Sequence, residues 1–320
     1  MVSLSELAKK IACEKKVALF VHVRPDGDTI GSAFAFKLAL DSLGIPTDVF
    51  SEDAIPERFS YLNGYDKVIR DVVDFSKYTA LIAIDCADVA RLGVFASAFE
   101  EHKNTFVIDH HISNPRFAKC SYVYDNASNC ENVFSLIQEM GAVITEDIAN
   151  YLGTGLVTDT GNFRHKSVTP FTFVVASKLK EAGADFNQIV YNNFNKQTKN
   201  RAKLFGLVMS KIRYFYQDRF AVITINQADI QTAGASADQT EGFIDFIMGI
   251  DTVEIGASVM EIANNKYKIS FRSKSANVNE VASRFGGGGH VLASGCQING
   301  EYEEVVDKIC FAVSRELPEL

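Results

Sequence analysis

Val17-Ala18-Leu19-Phe20-Val21-His22-Val23-Arg24-Pro25-Asp26-Gly27-Asp28 joins an apolar run to a turn rich in potential ligands, and the fold is read outward from it. Two further apolar runs end the same way: Ala80 to Ile84 before Asp85, and Thr105 to Ile108 before Asp109. Short continuous apolar runs read as strands buried on both faces, as in a parallel sheet. The stretches Thr29 to Leu43, Asn129 to Met140 and Asp147 to Val157 carry apolar residues at helical spacing. Strands alternating with helices predict an α/β fold, a parallel sheet with helices on both faces. In such sheets ligands bind beyond the carboxyl ends of the strands, where the polar residues fall.

In an extended segment, residues two apart project to the same side, so Asp26 and Asp28 can face one site, with His22 joining from the strand end. Gly27 lets the backbone bend between them, and a helix starting near Thr29 would direct free N–H groups at a phosphate. Pro-Asp-Gly is also an ordinary turn signal, so the segment alone reads equally well as a surface turn. Recurrence changes the balance, because Asp85, Asp109-His110-His111 and Asp159 follow, mostly just after apolar runs. Several carboxylates converging at one sheet edge are costly unless cations neutralise them, which predicts a dinuclear metal site. His102, within Glu100-Glu101-His102-Lys103, reads as a solvated helix-end or loop residue, and His165 as loop structure.

Asp185 to Lys203 is rich in Asn, Gln and Lys, and it is the expected connector; Ile189, Val190 and Phe194 make it helical. Beyond it, Lys211 to Tyr216, Phe220 to Ile225, Val253 to Ile262 and Tyr267 to Phe271 read as strands, the last two joined by a turn at Asn264 and Asn265. A smaller mixed α/β domain fits. It contains Gly286 to Gly289 followed by His290, between two patterned segments, which argues against a flexible linker. Exposed N–H groups without side chains can approach a phosphate or a base closely.

The 320 residues carry 32 basic and 40 acidic side chains, a formal charge of −8, with 47% hydrophobic and 22% charged residues. This is a globular profile of about two domains. The net charge argues against long DNA or RNA as a partner. No apolar run reaches membrane-span length and MVSLSELAKK lacks an apolar signal core, so no membrane association and a cytoplasmic location are expected. Six scattered cysteines (Cys13, Cys86, Cys120, Cys130, Cys296 and Cys310) form no CxxC motif. A Walker A lysine motif and a GxSxG elbow are both missing from the sequence.

The order HxxxDxD (from His22), DCAD (Asp85), DHH (Asp109) and GLVTDTGNF (Asp159) resembles the DHH phosphoesterase superfamily across all four motifs. The segment ISFRSKSANVNEVASRFGGGGHVLASG, residues 269–295, resembles the DHHA1 domain attached to many of its members. The resemblance implies a DHH catalytic domain over residues 1–184, a linker over 185–210 and a DHHA1 domain over 211–320. It implies one metal held by His22, Asp26 and Asp85 and a second by Asp28, Asp85, His110 and Asp159. Asp85 would bridge the pair, His111 would help polarise the phosphoryl group, and Asp109 would orient the histidines. The implied cofactors are two divalent cations of the manganese type, with magnesium, cobalt or iron as alternatives. Arg272 and Ser273 would hold a substrate phosphate, and Gly287, Gly288, Gly289 and His290 would line the nucleotide side.

Among family groups, RecJ-like exonucleases are longer, family II pyrophosphatases lack GGGGH, and membrane-bound cyclic-dinucleotide phosphodiesterases carry sensory segments. The stand-alone DHH/DHHA1 group remains. It implies hydrolysis of short oligoribonucleotides, removal of the 3′-phosphate of pAp, or both, by metal-activated hydroxide. Phosphodiesterase action on cyclic or linear dinucleotides and a non-catalytic nucleotide-binding regulator are the alternatives, and a homodimer is compatible with the resemblance. A regulator with a vestigial site would be expected to have lost ligands, yet every matched position is filled. An RNA-binding appendage like that of alanyl-tRNA synthetases fails because no aminoacylation or editing module accompanies the domain.

Overall fold

The computed structural model describes residues 2–317, which form two compact units dividing between Lys196 and Gln197. The first contains, in chain order, α1 (Leu4–Ala12), β1 (Val17–Phe20), α2 (Gly27–Ser42), β2 (Thr47–Phe50), β3 (Ala80–Ile84), α3 (Ala96–Glu101), β4 (Thr105–Asp109), β5 (Cys120–Val123), α4 (Asn129–Glu139), α5 (Glu146–Asp159), α6 (Pro170–Glu181) and α7 (Phe186–Val190). Its five strands are all parallel, in the order β2-β1-β3-β4-β5. Alternate strand residues feed two cores. Val17, Leu19, Ile82, Ile84, Phe106 and Ile108 pack against α1, α2, α4 and α5. Ala18, Phe20, Leu81, Ala83 and Val107 meet Phe50, Phe75, Phe95 and Phe99 on the other face. The expected helix-covered parallel sheet is therefore present.

The helix expected over Thr29 to Leu43 is present as α2. It is buried on almost every side, from Gly27 through Phe36 and again at Ala39 and Leu40. The reason is close packing on α5. A Cβ on Gly31 would sit 2.4 Å from the Tyr151 carbonyl oxygen, and one on Gly155 would sit 3.0 Å from Asp28 Cα, so only glycine permits this approach. Phe34 stacks on Tyr151 with ring centroids 5.1 Å apart. This packing fixes the amino end of α2, and with it Asp26 and Asp28.

The strand order reverses between β1 and β3, so the β1 and β3 carboxyl ends border the crevice where open α/β sheets bind ligands. After α7 a π turn spans Tyr191–Asn195, giving the connecting region its helical character.

The second unit contains α8 (Lys199–Met209), β6 (Arg213–Phe215), β7 (Phe220–Ile225), α9 (Gln227–Ala233), α10 (Phe243–Met248), β8 (Ile255–Ala263), β9 (Lys266–Ser273), α11 (Val278–Ser283), β10 (Gly288–His290), β11 (Ala293–Asn299) and α12 (Tyr302–Val313). Its mixed sheet runs β10-β11-β9-β8-β7-β6, with only β7 and β8 parallel. Phe271, Ile269 and Val259 pack under α11 and α12, on Val281, Val306 and Ile309. Among the described residues, no helix is long and apolar enough to cross a membrane.

Candidate metal centre

Asp26 and Asp28 share no extended segment. Asp26 is the N-cap of α2, its Oδ1 accepting from the N–H groups of Asp28 (3.0 Å) and Thr29 (3.1 Å), and Asp28 already lies in the helix. Those N–H groups are thus occupied, and the expected free helix terminus is closed by the protein's own carboxylate. Gly27 adopts helical backbone; its role is steric, because a Cβ there would lie 2.3 Å from Thr158 Oγ1. The other oxygen of Asp26, Oδ2, lies 3.6 Å from His22 Nε2. Partial burial raises the Asp26 pKa, but His22 and the two N–H groups outweigh it and hold the carboxyl down at about 2.

Asp85 occupies the centre. It follows β3 with a backbone φ of +53°, uncommon for a non-glycine residue, and its N–H donates to the Ile108 carbonyl at 2.9 Å. Its side chain is buried, with Oδ2 3.8 Å from His22 Nε2 and Oδ1 3.4 Å from His110 Nε2 and 3.7 Å from His111 Nδ1. Oδ1 has no hydrogen-bond partner. Burial, followed by the charges of Asp28, Asp26, Asp109 and Asp159, pushes this carboxyl well above the ordinary range.

His110 Nε2 also faces Asp28 Oδ2 at 3.8 Å and Asp159 Oδ2 at 3.7 Å, while its Nδ1 meets the Asn126 carbonyl at 3.0 Å. That carbonyl can only accept, so Nδ1 carries a hydrogen, and in the neutral ring Nε2 is left with the lone pair on the side of the carboxylates. Burial lowers the His110 pKa, yet Asp28 and the Asn126 contact bring it out above the usual value. Asp159 ends α5, and burial and Asp28 raise its carboxyl to about 7 against the pull of His110. Asp109 is fully buried, with Oδ1 2.7 Å from His111 Nδ1 and accepting from the His110 N–H at 2.9 Å; Oδ2 accepts from Asn114 Nδ2. It meets the ring of His111 and the backbone of His110.

Ligand atoms of three groups lie within 4.8 Å of one another: His22, Asp26 and Asp85; Asp28, His110 and Asp159; and Asp85, His110 and His111. Asp85 and His110 each belong to two groups. An unpartnered buried carboxylate oxygen, surrounded by other carboxylates and by Nε2 of His22 and of His110, fits a divalent cation.

Sequence reasoning missed the shell around these residues. The Asp28 carboxylate is gripped by the first turn of α4: Oδ1 accepts from Ser128 Oγ (2.7 Å) and the Cys130 N–H (3.0 Å), and Oδ2 from the Asn129 N–H (2.7 Å). The readable signal was Ser128-Asn129-Cys130-Glu131 ahead of an apolar run, a helix-start pattern. Arg91 Nη2 reaches His22 Nδ1 at 3.0 Å, and nothing in its sequence context announced it. His102 does stand at the carboxyl end of α3, but it is half-buried, with its ring nitrogens at the Asn104 carbonyl (2.9 Å) and the Tyr78 carbonyl (3.1 Å). His165 is an exposed loop residue whose Nδ1 meets the Asp159 carbonyl at 2.9 Å.

In the second unit, Arg272 projects from β9 and donates to the Phe271 carbonyl at 3.0 Å, its Nε 4.0 Å from Asp245. Ser273 Oγ accepts from the Ala276 N–H at 2.7 Å, so its lone pair serves the local turn. The glycine run is largely structural. Gly286 has φ +71°, a Cβ on Gly287 would lie 2.2 Å from the Gly295 carbonyl oxygen, and one on Gly289 would lie 2.6 Å from that of Ala293. Gly286 and Gly288 both have room for a Cβ, and Gly288, without a positive φ, lies near the exposed His290. Gly288–His290 also form a strand against β11.

Residues 16–156 match the DHH family, N-terminal domain, and residues 217–318 match the DHHA1 domain. The bifunctional oligoribonuclease and PAP phosphatase NrnA of Thermus thermophilus is 28% identical over 311 residues, 96% of this chain and 91% of that protein. The uncharacterized protein MG371 of Mycoplasma genitalium is 30% identical over 300 residues, 91% of this chain and 89% of that one. The crystal structure of an exopolyphosphatase-related protein from Bacteroides fragilis superposes with a TM-score of 0.83 at 26% identity, covering 98% of this chain and 95% of that one. With both domain types in order along the chain, and a 30% identical relative matched over most of its length, this protein belongs to the DHH family in its DHHA1-bearing form.

Proposed function

We propose that the chain is a phosphoesterase that uses two divalent cations of the manganese type to hydrolyse short oligoribonucleotides, to remove the 3′-phosphate of pAp, or both. The observation that carries this reading is Asp85: buried, without a hydrogen-bond partner on Oδ1, and set between the His22–Asp26 pair and the His110–Asp28–Asp159 group. His22, Asp26 and Asp85 would hold one ion, and Asp28, Asp85, His110 and Asp159 the other. Bound cations supply a water acidic enough to act as a nucleophile at neutral pH and a Lewis acid for the phosphoryl oxygens.

The chain's own residues then do three things. Ser128 and the first N–H groups of α4 fix the Asp28 carboxylate, and the Asn126 carbonyl fixes the His110 tautomer. Asp109 Oδ1 accepts from His111 Nδ1, which orients the half-exposed His111 ring beside the candidate metal ligands, where it would help polarise a phosphoryl oxygen. Arg272, Gly288 and His290 offer a charge, an approachable backbone and an imidazole to the nucleotide. Ser273, Gly287 and Gly289 contribute by shaping that surface. The name of the Thermus relative, a bifunctional oligoribonuclease and PAP phosphatase, supports this substrate class.

The test is a panel with manganese: pAp, di- to pentaribonucleotides, pApA, cyclic di-AMP, pyrophosphate and long RNA, with metal content measured in parallel. Turnover of pAp or of two- to five-nucleotide RNA with close to two ions per chain is expected. Turnover confined to pyrophosphate or long RNA would overturn the substrate class, and a single bound ion would overturn the dinuclear site.

A further inference from the structure

β9 is an interior strand of its sheet, flanked by β8 and β11. Its inward residues Tyr267, Ile269 and Phe271 belong to the core beneath α11 and α12. The alternate residues Lys268, Ser270 and Arg272 emerge on the opposite face, as expected of a strand antiparallel to both neighbours. Their neighbours across the strands are mostly small or polar: Ser258 and Gly295 flank Ser270, Gly256 and Ala293 flank Arg272, and Lys268 lies between Gln297 and the one large apolar neighbour, Met260.

Two clefts adjoin β9, the second reaching Ile269 and Cys296 of the core side as well. One, of about 360 Å³, is bounded by Lys268, Ser270 and Arg272, with Asp238 and Glu241 also lining it. The other, of about 400 Å³, lies toward the glycine run and is bounded by Lys268, Gly287, Gly295 and Gln297. Lys268 belongs to both.

Its charge is unspent. Lys211 pairs with Asp229, Arg213 with Glu303, and Lys274 donates to the carbonyls of Ile250 and Asp251. Lys268 has no hydrogen-bond or ion-pair partner among the described residues, and it is exposed. Along a strand, Lys268 and Arg272 stand about 13 Å apart, more than one internucleotide step, with the Ser270 hydroxyl midway. The carboxylates of Asp238 and Glu241 repel phosphate, which directs a polyanion onto the β9 wall.

We propose that Lys268, Ser270 and Arg272 form a phosphate track for single-stranded oligonucleotide, in which Lys268 engages a phosphate only in substrates of three or more nucleotides. This rests on the phosphoesterase reading for the identity of the ligand, and it adds a residue that selects substrate length. A small number of fixed cations suits a short substrate, whereas a long polyanion needs an extended basic surface.

The experiment is fluorescence anisotropy of labelled, 5′-phosphorylated di- and tetraribonucleotides on the full chain in EDTA, comparing wild type, Lys268→Ala and Lys268→Arg. Lys268→Ala should weaken the tetranucleotide about tenfold and the dinucleotide less than twofold, with Lys268→Arg restoring most of the loss. Equal weakening at both lengths, no weakening at either, or no binding by the wild type overturns the track. Length-selective weakening in a chain that hydrolyses neither oligomer with manganese would uphold the track and overturn the phosphoesterase reading.

Discussion

Asp85→Asn should make the metal-free protein more stable while abolishing its metal response. Asparagine keeps the shape of the side chain and, of the available residues, tolerates the φ of +53° best. Alanine would add a left-handed backbone cost of about 1 to 2 kcal/mol and confuse the result. What Asn removes is a buried carboxylate whose Oδ1 lacks a partner and whose neighbours are Asp28, Asp26, Asp109 and Asp159. Leaving a buried polar group unsatisfied costs about 1 to 3 kcal/mol, so a gain of about 2 kcal/mol is expected in EDTA at pH 8. For a unit of this size that corresponds to about 4 to 8 °C in the first unit's calorimetric transition.

The sign of the pH dependence follows. The folded-state pKa of Asp85 lies above its unfolded value, so wild-type stability from this group is intact below the unfolded pKa and is lost as pH rises through the folded one. The advantage of the Asn variant therefore grows with pH and vanishes in acid. Adding manganese at about 100 times its dissociation constant should stabilise the wild type by about 2.7 kcal/mol and the variant hardly at all. An Asn variant less stable than wild type in EDTA at pH 8, or one that keeps the full metal-induced shift, would refute the reasoning.

Ser128→Ala removes both the α4 cap and one of three donors on Asp28. It should cost about 1 to 2 kcal/mol in urea denaturation and weaken metal binding about tenfold; unchanged affinity in a metal titration would show that the α4 turn does not support the site. Asp159 gives a second pH test. With its carboxyl raised to about 7, the folded metal-free chain keeps a proton that the unfolded chain sheds near 3.8, so this group's contribution to metal-free stability declines between those values. Metal must displace that proton below about pH 7, so affinity should fall from pH 8 to 6 with proton release. Calorimetric titration in two buffers of different ionisation heat checks this, and pH-independent binding would count against Asp159 as a ligand.

The first unit was legible because buried parallel strands leave an unmistakable trace: Val17, Ala80 and Thr105 each begin an apolar run that ends near a ligand-type residue. The residues that gather at the centre, His22, Asp26, Asp28, Asp85, His110 and Asp159, were also visible, since metal chemistry restricts residue type and the motifs recur in order. Sequence spacing could not show how these side chains are held. Asp26 and Asp28 look like alternate residues of an extended strand, but α2 starts one residue after Asp26, because that carboxylate caps its own helix. The donors on Asp28 come from residues 128–130, a hundred positions away, brought there by α4 packing on α2. The glycines at 287 and 289 likewise read as a phosphate loop, whereas two of their Cβ positions are filled by the backbone of β11. Local chemistry is written in the chain, but which backbone groups approach which side chains is decided by packing between elements distant in sequence, and only the tertiary structure supplies that.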